Sequence, residues 1–89
     1  MLILATKLKN RFPTADLVQL KNVSINGDKR GCTGFIQSGA RIVYVNTEVL
    51  GGGYLYRTAQ HLKDYTGGTN RYARDLDSLV AGINQLLKA

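Results

Sequence analysis

Side chains suited to proton transfer or nucleophilic attack near neutral pH are scarce in this sequence, which has one histidine, His61, and one cysteine, Cys32. His61 stands three residues before Asp64, a spacing at which a carboxylate can orient an imidazole. A Cys32–His61 pair is the other arrangement able to generate a nucleophile. No local motif supports either. HExxH and GxSxG are missing, and Glu48 is the only glutamate. One cysteine and one histidine make neither an intramolecular disulfide nor a usual multi-ligand zinc site. The expectation is a protein that is not an enzyme and that uses neither a metal nor another cofactor.

Binding chemistry is better represented. The stretch "GGGYLYRTAQHLKDYTGGTNRYAR", residues 51–74, carries four of the five tyrosines, four of the twelve basic residues and the histidine. Its glycine-rich segments lack the Gly-Lys-Ser/Thr ending of a phosphate-cradling loop, so they read as turns or hinges. The segment "YTGGTNRYAR" sets Arg71 and Arg74 beside Tyr65 and Tyr72. A guanidinium can grip phosphate in a bidentate fork and a tyrosine can stack on a base, the mix that binding to single strands or non-specific binding to the backbone would use. The candidate nucleic-acid-binding set is Arg57, His61, Lys63, Tyr65, Arg71, Tyr72 and Arg74. The competing reading makes the tyrosines partly buried core and pairs Arg71 or Arg74 with Asp75 or Asp77.

The whole chain is biased in the same direction. Twelve Lys and Arg against six Asp and Glu give a net charge of +6 over 89 residues. Such a field attracts polyanions, nucleic acid or an anionic membrane surface, although it also serves solubility. The 44% hydrophobic and 20% charged fractions are those of a folded globular chain, and the length fits one domain, residues 1–89, with one modest core. The opening "MLILATKLKNRFP" holds an apolar run too short for a signal-peptide core or a membrane span. A soluble, cytoplasmic protein is expected, with membrane binding disfavoured because the apolar helical stripes are needed for the core.

The elements that must position these residues follow from periodicity. Leu4, Ala5, Leu8 and Phe12 fall on one face of a helix over about residues 3–11, ended by Pro13. Between Leu17 and Thr47, β-branched runs alternate with the turn pairs Asn26-Gly27 and Ser38-Gly39, predicting three strands in an antiparallel meander. In the third, Ile42 and Tyr44 point one way and Val43 and Val45 the other, the mark of a central strand. Gly31 and Gly34 weaken the second strand or admit a close backbone neighbour. The segment "DLDSLVAGINQLLKA" puts Leu76, Leu79, Val80, Ile83, Leu86 and Leu87 on one stripe, with Asp75 as N-cap. Gly82 interrupts that helix. It is either a point of close contact with the sheet or a second protomer, or a tolerated defect, and the second is favoured.

Residues 54–65 are ambiguous. A fourth strand places Tyr54, Tyr56 and Thr58 on one face and Leu55, Arg57 and Ala59 on the other. A helix gives a narrower stripe and is the less favoured reading. Either geometry makes Arg57 and His61 neighbours. The fold class expected is α+β, a small two-layer sandwich with an N-terminal helix, an antiparallel sheet of three to four strands, and a C-terminal amphipathic helix packed on one face. The order helix, three strands, helix resembles the architecture of the double-stranded-RNA-binding domain. That family's basic Lys-Lys-x-Ala-Lys opening of the last helix is replaced here by "NRYARDLD", so no family is assigned. The functional expectation is a small basic accessory protein that binds nucleic acid non-catalytically. The alternative is a protein-interaction or homo-oligomeric module.

Overall fold

The computed structural model describes residues 4–25, 28–47, 53–65 and 67–88. Helix α1, Leu4–Asn10, is followed by strands β1, Leu17–Ile25, β2, Asp28–Ser38, β3, Arg41–Asn46, β4, Tyr54–Ala59, and β5, Arg71–Ala73. Helix α2, Leu76–Lys88, completes the order. The strands form one antiparallel sheet in the order β1-β2-β3-β4-β5. The α+β class and the C-terminal helix agree with the sequence reading. The sheet has one strand more than the three to four expected, because residues 71–73 pair with Tyr54–Tyr56. That extra strand, and the strand at residues 54–59, also separate the topology from the helix–three strands–helix order.

Both helices lie on one face of the sheet. Helix α1 packs on β1 and β2, and α2 on β3, β4 and β5. Ala5, Leu8 and Phe12 from α1 meet Cys32, Ile36, Val43 and Val45 from the sheet and Leu79, Val80, Ile83 and Leu86 from α2. Helix α1 starts against β1, where the Ala5 N–H donates to Asn22 Oδ1 at 3.2 Å and so satisfies one of the donors a helix start leaves open. Helix α2 is capped by Asp75, whose Oδ1 accepts from the Ser78 N–H at 2.7 Å. That bond, together with one to the Ser78 side chain, holds the Asp75 carboxyl below its ordinary pKa.

Two glycines are set by close approach. Gly34 has φ of 153°, and a Cβ there would run into the backbone of Gln19 and Leu20 on the adjacent strand. At Gly82 a Cβ would meet the Tyr56 ring, with Cε2 at 2.8 Å. The favoured reading of Gly82 as a tolerated defect is therefore corrected: it is the point where α2 rests on a β4 tyrosine. The Ser38-Gly39 turn is present, with φ of 59° at Gly39 and its N–H held by Asp16 Oδ2 at 2.6 Å. The expected Asn26-Gly27 turn lies outside the described residues.

Candidate nucleic-acid interface

The helix-free face of the sheet can be laid out from register alone, because directly paired residues share a face. One transverse row runs Lys21, Thr33, Asn46, Leu55, Tyr72 across all five strands. The next runs Gln19, Phe35, Tyr44, Arg57, and a third Leu17, Gln37, Ile42, Ala59. At the usual strand spacing Lys21 and Tyr72 stand about 19 Å apart at the two ends of the first row. Tyr44 is tied into it by Asn46, whose Nδ2 donates to the Tyr44 hydroxyl at 3.0 Å.

Residues 60–65 form a strap over the second and third rows. Leu62 packs on the small apolar cluster of Phe35, Ile42 and Tyr44. Tyr65 sets its ring edge-on to both Phe35 and Tyr44, with centroids 5.4 and 5.8 Å away. Beneath the strap Arg57 is buried, 1% exposed. Its guanidinium lies 4.6 Å from the centroid of the Tyr44 ring and donates to the carbonyls of Asp64 at 2.7 Å and Thr58 at 3.2 Å. The Asp64 carboxylate, 3.8 Å from Arg57 Nη1, also closes the strap on itself by accepting from the Gln60 and Gly67 N–H groups at 3.0 and 2.9 Å. Burial of this charge is offset by pairing and by the carbonyl bonds, as a buried charge requires.

These placements revise the predicted site. Arg57 is an internal fastener with no surface to offer, so it is removed from the nucleic-acid-binding set. His61 is exposed on the strap, its Nδ1 accepting from the Lys63 N–H at 3.3 Å. Strand β4 ends at Ala59, so the regular spacing invoked to make His61 a neighbour of Arg57 does not continue to it. Lys63 is exposed on the same strap. Tyr65 and Tyr72 are 59% and 62% exposed, both toward the helix-free side. Arg71 and Arg74 are exposed, but Arg71 shares the face of Tyr56, its cross-strand partner, and so sits around the sheet edge from Tyr72. Among the described residues neither arginine is paired with Asp75 or Asp77. Asp77 meets Arg11 at 3.0 Å instead, and Asp75 caps α2.

The structure adds residues that the sequence reading did not select. Between the strap and strands β1 and β2 lies a cleft of about 470 Å³, lined by Gln19, Lys21, Thr33, Phe35, Lys63 and Tyr65 among others. Period-two alternation in "LVQLKNVSI" places Lys21 on the side of Gln19, but only the register with Thr33 brings it to the strap.

Cys32 lies fully buried on the helix side of the sheet, and His61 on the strap crossing the other side, so the sheet separates them. Burial pushes the Cys32 thiol up to about 11, against a hydrogen bond with Thr47 that lowers it. Among the described residues no three His, Cys, Asp or Glu side chains converge on a metal position, and no helix is long and apolar enough to cross a membrane. Comparison with family models, curated proteins and solved structures gave no match.

Proposed function

We propose that the protein is a small basic nucleic-acid-binding accessory protein that acts without catalysis through its helix-free sheet face and the adjoining β5 edge. The observation that carries this reading is the exposure of Tyr65 and Tyr72 on that face, with Lys21 and Lys63 beside the strap and Arg71 and Arg74 at the edge. Exposed tyrosines offer stacking surface to bases, and exposed lysines and arginines neutralise phosphate with release of counterions. A net charge of +6 supplies the long-range attraction. The test is fluorescence anisotropy of labelled single-stranded and duplex nucleic acid across a salt series. Binding that weakens steeply with salt, and weakens further in Tyr72→Ala and in Arg71→Ala with Arg74→Ala, supports the reading. No binding at low salt overturns it.

A second reading rests on β1. This strand is nine residues long and stands at the sheet margin, where among the described residues it pairs with β2 alone, so its outer edge offers backbone groups to a second strand. A homo-oligomer built this way would show a multiple of the chain mass in light scattering, and that mass would fall when a proline is placed at an outward-pointing N–H of β1.

A further inference from the structure

The cleft under the strap differs in kind from the flat sheet around it. Its lining includes two aromatic residues, the exposed Tyr65 and the buried Phe35, and the polar residues Gln19 and Thr33. Lys21 comes from β1 and Lys63 from the strap, so the charges on its described lining are positive, and among the described residues no carboxylate lines it. The nearest acid in sequence, Asp64, is turned into the strap and engaged by Gln60, Gly67 and Arg57. The volume, about 470 Å³, falls in the range of about 300–1,000 Å³ typical of small-ligand pockets. The strap itself is held in place from below: Arg57 grips the Asp64 carbonyl, and Gly68, with φ of 80°, passes so near the Thr58 carbonyl that a Cβ there would stand 2.8 Å from its oxygen.

We propose that this cleft takes one unstacked base of a single-stranded nucleic acid, the base lying against Tyr65 and its neighbouring phosphates meeting Lys21 and Lys63. The proposal rests on the nucleic-acid reading above and narrows it to single strands. A planar apolar body carrying anionic groups matches walls that are aromatic within and cationic at two sides. A base in a duplex has its faces covered by its neighbours and cannot enter, whereas a single strand can turn one base out. Gln19 and Thr33 can then bond to the edge of the base.

The same chemistry, a base bearing phosphate, could come from a free mononucleotide, and the experiment separates the two. Binding is measured for a pyrimidine single strand, a duplex of equal length and uridine monophosphate, with wild type, Tyr65→Leu, Tyr65→Phe and Lys21→Gln with Lys63→Gln. The single strand is expected to bind more tightly than the duplex and far more tightly than the mononucleotide. Tyr65→Leu, which keeps apolar cover on Phe35 and Tyr44, should weaken the strand roughly tenfold, and Tyr65→Phe should restore it. The double lysine variant, both positions being exposed, should fold normally and lower the salt slope by about 1.4, two contacts at about 0.7 each. Equal affinity for strand and duplex together with an unchanged Tyr65→Leu overturns the cleft while leaving the broader reading standing. Mononucleotide binding as tight as the strand overturns the single-strand source. Absence of binding to either nucleic acid at low salt overturns the broader reading, and the cleft proposal with it.

Discussion

The guanidinium of Arg57 donates to the main-chain carbonyl of Asp64 at 2.7 Å while lying over the ring of Tyr44, and this joins the strap to the sheet. A positively charged side chain that sequence alone offers to a ligand is thus spent inside the protein. Lys63 and Tyr65, on either side of Asp64 in the chain, lie on the strap that Arg57 fastens.

Replacing Arg57 by Met should therefore cost more than a surface charge change. Two carbonyls lose a charged donor and Asp64 loses its buried counter-charge, together about 2–4 kcal/mol. Urea denaturation with the wild type as reference checks this. Asp64→Asn should cost less, because the carbonyl bond from Arg57 survives. A loss below about 1 kcal/mol for Arg57→Met would show that the fastening is weak.

Gly34→Ala should be among the most damaging single changes in the protein. The added Cβ meets main-chain atoms of Gln19 and Leu20, which cannot turn aside, and φ of 153° is itself unfavourable for alanine. A loss above about 3 kcal/mol, or failure to fold, is expected by circular dichroism.

Gly82→Ala sets two effects against each other. Alanine gains about 1 kcal/mol of helix propensity. Its methyl collides with the Tyr56 ring, and overpacking of this kind costs about 1–3 kcal/mol, so the net change should be a loss. Combining Gly82→Ala with Tyr56→Val should recover stability relative to Tyr56→Val alone. Thermal denaturation of the four proteins completes the cycle, and a stabilising Gly82→Ala would contradict the close contact.

The parts of this fold legible in the sequence are those fixed by short-range pattern. The α2 stripe and the Asp75 cap are local, and the β2–β3 hairpin follows from alternation around Ser38-Gly39. Strand β5 escaped because "RYA" has no periodicity of its own and exists only through pairing with Tyr54–Tyr56. Arg57 was misread for a related reason: its burial depends on Tyr44 opposite it and on a strap that returns across the sheet, neither visible from residue type. Lys21 and the cleft needed the register between β1 and β2. Gly82 needed the position of Tyr56.

Cys32 offers a pH-dependent test of the core. Burial raises its pKa from 9.0 to about 11, so the folded state favours the thiol. The stability linked to this proton is fully present below pH 9, where both states are protonated, and is lost as pH rises from 9 to about 11. The decline in melting temperature over that window should be steeper for wild type than for Cys32→Ala. At neutral pH the native thiol should resist Ellman's reagent until the chain is unfolded by denaturant, and rapid native reaction would contradict its burial.

Nucleic-acid binding on the helix-free face can be checked residue by residue with two-dimensional amide NMR during titration with a short single strand. Shifts concentrated at Lys21, Thr33, Lys63, Tyr65 and Tyr72, with α1 and the outer face of α2 unmoved, are the predicted result. No shifts at low salt, or shifts confined to the helices, would contradict it.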